Sequence, residues 1–152
     1  MNKKPTKILG LTLDKFEELI TKGNEIHLQP AKLIPFHKPG DEMALTSIFL
    51  SGLRLIKEFR DEIFQILYVN KTNKILIFTE IEFVLFDKRI DGLILIIRSN
   101  KIYDAVLLEV KNKRNDLELR QIEEYLKISK EYGIPKFLTV SNQFVSFQHN
   151  HH

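Results

Sequence analysis

Residues 89 to 111 read Arg89-Ile90-Asp91-Gly92-Leu93-Ile94-Leu95-Ile96-Ile97-Arg98-Ser99-Asn100-Lys101-Ile102-Tyr103-Asp104-Ala105-Val106-Leu107-Leu108-Glu109-Val110-Lys111. Leu93 to Ile97 and Ala105 to Val110 are apolar on both faces, so each predicts a strand that is central in a covered sheet. Ser99-Asn100-Lys101 between them predicts a hairpin loop. With three residues in that loop, Arg98 pairs with Ile102 and Asp91 lies opposite Glu109, the two Cβ atoms roughly 4.5–5.5 Å apart. A two-residue loop instead puts the carboxylates on opposite faces of the sheet. Lys111 follows two positions after Glu109, on its face and about 6.5 Å further along the strand.

Working outward, Ile75, Ile77, Ile81, Phe83 and Leu85 alternate with Phe78, Glu80, Glu82 and Val84. This period of two predicts a strand of a half-solvated antiparallel pair, with Glu80 and Glu82 in water. Leu13 to Lys22 predicts a short helix with Phe16, Leu19 and Ile20 on one side and Gly23 ending it. Pro30, Pro35, Pro39 and Gly40 make residues 28 to 40 a connector. Asp41 is then the N-cap of a long helix reaching to about residue 60, with Leu45, Ile48, Phe49, Leu53, Ile56 and Phe59 at helical spacing. Downstream, a helix from about Asp116 to Tyr132 stops at Gly133-Ile134-Pro135, and Phe137 to Val140 is a fourth short strand. The order helix, three strands, helix, strand predicts an α/β fold with a mixed sheet covered by helices. Residues 1–40 form an N-terminal helix and connector, and residues 41–148 one core. Residues 149–152, His-Asn-His-His, read as the remnant of a purification tag.

Composition narrows the chemistry. A chain of 152 residues, 43% hydrophobic and 28% charged, fits a single domain with one core. It has no cysteine, which excludes thiolate zinc sites, disulfides and cysteine nucleophiles. Apart from the tail, its histidines are His27 and His37, without ligand spacing, so a His-based metal site or a Ser-His-Asp triad is not expected. No apolar run is long enough to span a membrane and no apolar signal segment follows Met1, so a cytoplasmic, membrane-free protein is expected. A net charge of +3 permits a polyanionic partner without demanding one.

The chemistry therefore falls to carboxylates, Lys, Gln and Tyr. Two carboxylates close together repel unless a proton or a cation sits between them. All-oxygen ligands suit Mg²⁺ or Mn²⁺, and Lys111 is placed to neutralise charge building on a phosphate oxygen. Against this, Asp91-Gly92 also reads as a turn, and Glu109-Val110-Lys111 as a solvated ion pair worth under about 1 kcal/mol. Further along, Gln121 and Tyr125 share one helix face, in an uncharged arc with Leu117, Ile122 and Ile128, opposite Glu123, Lys127, Lys130 and Glu131. A Gln buried there needs a polar partner, because leaving its amide unpaired costs about 1–3 kcal/mol. Lys113 and Arg114, just past the strand, read either as contacts to backbone phosphates or as solvated residues before the helix.

The segment Arg89-Ile90-Asp91-Gly92 … Leu108-Glu109-Val110-Lys111 resembles the PD-(D/E)xK phosphodiesterase superfamily, the restriction-endonuclease-like fold. An Asp begins one strand and Glu-x-Lys ends the next, with Ile90 in place of the Pro of the name. The resemblance covers about residues 41 to 141, including the order of elements. It implies a Mg²⁺-dependent nuclease acting on DNA, with Mn²⁺ as substitute and Asp91, Glu109 and Lys111 as the catalytic set. It further implies that Glu42, in the first turn of the long helix, faces the metal and that the Val110 carbonyl adds a ligand. Gln121 and Tyr125 resemble the Gln-x-x-x-Tyr element of the exonuclease-like branch. A homodimer that cuts both strands and a further C-terminal domain are the associated expectations. The competing expectation is a non-catalytic nucleic-acid-binding or assembly module that keeps the fold.

Overall fold

β-branched and leucine side chains fill two long strands, Lys88–Arg98 (β3) and Lys101–Lys111 (β4), which pair antiparallel at the centre of the sheet. The computed structural model describes residues 4–30, 42–69, 74–111 and 119–141. Among these, Ile26–Pro30 (β1), Lys74–Phe83 (β2) and Lys136–Ser141 (β5) complete a five-stranded sheet in the order β1-β2-β3-β4-β5. Neighbours are antiparallel except β4 and β5, which are parallel, so the sheet is mixed as expected. Helices among the described residues are Leu13–Lys22 (α1), Glu42–Leu55 (α2), Lys57–Ile66 (α3) and Leu119–Tyr132 (α4).

Each face of the sheet carries its own core. Phe16 and Leu19 of α1 and Tyr125, Ile128 and Tyr132 of α4 pack with Leu93, Leu95, Ile97, Ala105 and Leu107. Leu50 and Leu53 of α2 and Phe64 of α3 pack with Ile94, Ile96, Val106, Leu108 and Val110 on the other face. Both faces of β3 and β4 are thus covered, which explains their unbroken apolar runs. No helix among the described residues is long and apolar enough to cross a membrane.

Four expectations need correction. Residues 28–30 of the expected connector belong to strand β1, Ile26–Pro30, and Pro30 fits there because β1 is at the sheet edge. The long helix breaks at Ile56, whose φ of −112° is extended. Arg60 caps the broken end by donating to the carbonyls of Leu53 and Arg54, and Gly52 leaves room for the Phe59 ring, which packs edge-on against Phe49. Strand β2 stops at Phe83, and Val84–Phe86 forms a 3-10 turn ended by left-handed Asp87. Finally, the hairpin loop has two residues, Ser99 and Asn100, both with positive φ, so Arg98 pairs with Lys101 and not with Ile102. The N-cap expected at Asp41, the first residues of the helix expected from Asp116, and the tail at 149–152 lie outside the described residues.

A segment before α1 ties the ends of several elements together. The Ile8 N–H donates to the Tyr132 carbonyl and the Gly10 N–H to the Ile102 carbonyl, while the Ile102 N–H donates to the Leu11 carbonyl. Ile8 is fully buried beneath this strap.

Candidate active site

A two-residue turn by itself would have separated Asp91 from Glu109. The facing pairs Arg98–Lys101 and Ile97–Ile102 follow from that turn, but the next pair is Ile96–Asp104. Tyr103 is an extra residue on β4, a bulge that shifts the register by one and restores the pairing that a three-residue loop would have given. The ladder then runs to Gly92–Leu108. Asp91-Gly92 is therefore no turn. Both residues lie in β3, and a Cβ on Gly92 would come within 3.1 Å of the Leu108 side chain.

One step past Gly92 the two strands are joined by side chains. The Asp91 N–H donates to Glu109 Oε1 at 3.0 Å, and the Val110 N–H donates to Asp91 Oδ2 at 2.7 Å. Each carboxylate takes up the backbone donor of the opposite strand, so both are fixed in place by main chain. Lys111 Nζ stands 3.9 Å from Glu109 Oε2. From α4, the Tyr125 hydroxyl donates to the Glu109 carboxylate, while its ring lies 5.6 Å from that of Phe137. Glu109 is only 4% exposed.

Burial and then the charge of Asp91 push the Glu109 carboxyl from 4.5 up to about 7. The Asp91 N–H, Lys111 and Tyr125 pull the other way without cancelling that rise. The Tyr125 hydroxyl is itself raised to about 12, first by burial and then by the neighbouring charge and hydrogen bond of Glu109. Among the described residues, the Asp91 and Glu109 carboxyls share one partly dry site with the Lys111 ammonium at its margin, a place where added positive charge is favoured.

Of the residues expected at the site, Asp91, Glu109, Lys111 and Tyr125 come together. Gln121 is half-buried one helical turn before Tyr125 on the same face of α4 and is engaged by a neighbour. Val110 contributes its N–H, and its side chain is buried in the opposite core. Glu42 is the first residue of α2, but its side chain lies outside the described residues, as do Lys113 and Arg114 entirely. Among the described residues no group of three or more His, Cys, Asp or Glu is arranged to hold a metal. The donor set is the Asp91–Glu109 pair, which fits a hydrated Mg²⁺ or Mn²⁺, ions that need only one or two carboxylates from the protein.

Two supporting features went unread in the sequence. Lys88, at the start of β3, pairs with Glu124 of α4 at 2.7 Å, and this ion pair draws the Glu124 carboxyl below its usual range. It ties the helix that carries Tyr125 to the strand that carries Asp91. Glu80, expected in water, is half-buried with φ +51°, and it falls between the pairs Thr79–Gly92 and Ile81–Ile90, level with Asp91 of β3. A left-handed, non-glycine residue inside a strand has no signature in composition or spacing, whereas a helix–strand ion pair needs the tertiary fold to be seen. Glu82 is also half-buried, with its carboxylate near Arg89 and His27. No family model, no curated protein and no solved structure matches this chain.

Proposed function

We propose that this chain is a metal-dependent nuclease domain of the PD-(D/E)xK type that hydrolyses phosphodiester bonds of nucleic acid, with DNA as substrate and the cytoplasm as its place. The observation that carries this reading is the Asp91–Glu109 pair, set by main-chain bonds with Lys111 beside it. The element order from α2 onward, helices, three strands, helix, strand, supports it as well.

In this reading Asp91 and Glu109 hold Mg²⁺, joined by the Val110 carbonyl and Glu42. A divalent ion bound there supplies polarisation of the phosphate and a water of lowered pKa. Lys111 neutralises charge that develops on a phosphate oxygen, an interaction stronger in the transition state than in the ground state. Tyr125 orients Glu109 through its hydroxyl, and Gln121 extends the same polar face. Lys113 and Arg114 contact backbone phosphates, which requires positive charge and no base reading.

A second reading has one observation in its favour. Glu109 already accepts the Asp91 N–H and Asp91 the Val110 N–H, tying β3 to β4 as a purely structural pair would also do. Calorimetric titration with Mn²⁺ separates the two. The nuclease reading expects a site in the wild type that Asp91→Ala abolishes. An absent site, or one indifferent to Asp91, favours the non-catalytic module. Lys111→Ala then tests the chemistry: cleavage of plasmid DNA should fall by about 10²-fold or more, the usual loss for one electrostatic donor, while Mn²⁺ binding survives. Unchanged cleavage would remove Lys111 from the mechanism.

A further inference from the structure

We infer that the left-handed backbone at Glu80 is a positioning device that turns Asp91 into its pairing with Glu109. Three observations converge on this residue. On β2, Ile77 packs in the α2–α3 core, yet Ile81 and Phe83 pack in the α1–α4 core. Strict alternation would keep Ile77 and Ile81 on one face. On β3 the same exchange occurs: Ile94 and Ile96 pack in the α2–α3 core, but Ile90 packs with Leu93 and Leu95 in the other. The strands nevertheless keep one register on both sides, with Thr79 facing Gly92 and Ile81 facing Ile90. Both strands therefore turn over together, and the pair that absorbs the rotation is Glu80 with Asp91.

The cause lies on β2. Against β1, His27 faces Glu82 but Gln29 faces Thr79, so β2 spends one residue more than its edge neighbour over this stretch. That is a β-bulge, and Glu80 within it has φ +51°. Glycine usually occupies such a position because a side chain there crowds the backbone. The rotation interrupts the regular ladder at Asp91, and its N–H points to Glu109 Oε1 while its carboxylate reaches the Val110 N–H. Glu80 acts here through its backbone, not through its carboxylate.

The inference is tested by a substitution series at position 80, read first in metal-free protein. NMR hydrogen exchange follows the amides of Asp91 and Val110, with Leu95 and Leu107 inside the ladder as internal references. Glu80→Gly and Glu80→Asn accept the left-handed conformation, so protection at Asp91 and Val110 should equal or exceed that of the wild type. Glu80→Gln should match the wild type. Glu80→Val disfavours the conformation most and should speed exchange at the two site amides by about tenfold or more, with the reference amides little changed. Should the Val variant not fold, Glu80→Ala gives the same direction at smaller amplitude. Equal loss in Glu80→Gln and Glu80→Val would assign the effect to the carboxylate and overturn the inference, as would protection indifferent to the whole series.

A second readout, Mn²⁺ affinity, rests on the metal-site reading proposed above. It should fall in Glu80→Val or Glu80→Ala and hold in Glu80→Gly and Glu80→Gln. A wild type that binds no Mn²⁺ would defeat that reading while the exchange result stood or fell by itself.

Discussion

Glu25 and Glu109 are both buried carboxylates, 2% and 4% exposed, and they are treated in opposite ways. Glu25 receives the Thr6 N–H on one oxygen and the Thr6 hydroxyl on the other, at 3.0 and 2.8 Å. Asp104 resembles it: one oxygen accepts from the Ala105 N–H and the other is paired with Lys136. Glu109 also accepts a main-chain bond, but its neighbour across the strands is another acid. A buried acid whose two oxygens both accept hydrogen bonds belongs to the fold, because its desolvation is offset where it stands. One set beside a second acid keeps an electrostatic cost that a proton or a cation can relieve. That contrast separates the two residues more sharply than burial does.

The same substitution at both positions should therefore have opposite signs. Glu109 ionises at about 7 in the fold and near 4.5 in the unfolded chain. Between those values the folded protein binds the extra proton, so stability is lost as pH rises through this window. Glu109→Gln keeps the shape without the charge. It should flatten that part of the stability–pH curve and make the protein more stable than wild type above pH 7, on the order of 3 kcal/mol by the worth of a pKa unit. Urea unfolding at a series of pH values reads this directly. A variant less stable than wild type at high pH would erase the contrast with Glu25.

The next effect is smaller and of the other sign. Glu25→Gln exchanges the two charge-assisted bonds from Thr6 for neutral ones, with the Thr6 hydroxyl turning to accept from the amide, so stability at neutral pH should fall by about 1–2 kcal/mol. Thermal unfolding monitored by circular dichroism would show it. No loss would mean that Glu25 is not the structural acid its bonds suggest.

Smallest is Tyr125→Phe. It removes one hydrogen bond to Glu109, costs about 1 kcal/mol, and should move the Glu109 titration further upward, since that bond favours the charged carboxylate. Carboxyl carbon shifts followed by NMR across the pH range would track it. A downward move would mean that Tyr125 acts on Glu109 by some route other than donation.

The central strands and the helices at Leu13–Lys22 and before Gly133 were legible because their signals are local: continuous apolar runs, helical spacing, and glycine at a helix end. So was the residue set Asp91, Glu109, Lys111, whose approach depends on pairing in one hairpin. What escaped was irregularity. The bulge at Tyr103 and the kink at Glu80 sit at residues that do not advertise them, yet the first decides whether Asp91 meets Glu109 at all. The expectation of their approach rested on a loop one residue too long, and the bulge made up the difference. Strand β1 was hidden by Pro30, which argues against strand until its edge position is known. The break at Ile56 depends on Arg60 and Phe59 finding partners about two and three turns back, at Leu53 and Phe49, which apolar spacing does not encode.

The strap before α1 has a consequence for the order of assembly. Ile8, Gly10 and Leu11 find their partners at Tyr132 and Ile102, residues far from them in sequence. Such contacts span most of the chain, and closing them early would cost entropy before any reward arrives. Hairpin β3–β4, whose strands are neighbours in sequence, can form while the strap is still waiting. The entropy cost of closing so long a loop favours a strap that docks after the hairpin, and Ile8 shares its buried core with Ile128 and Tyr132 of α4.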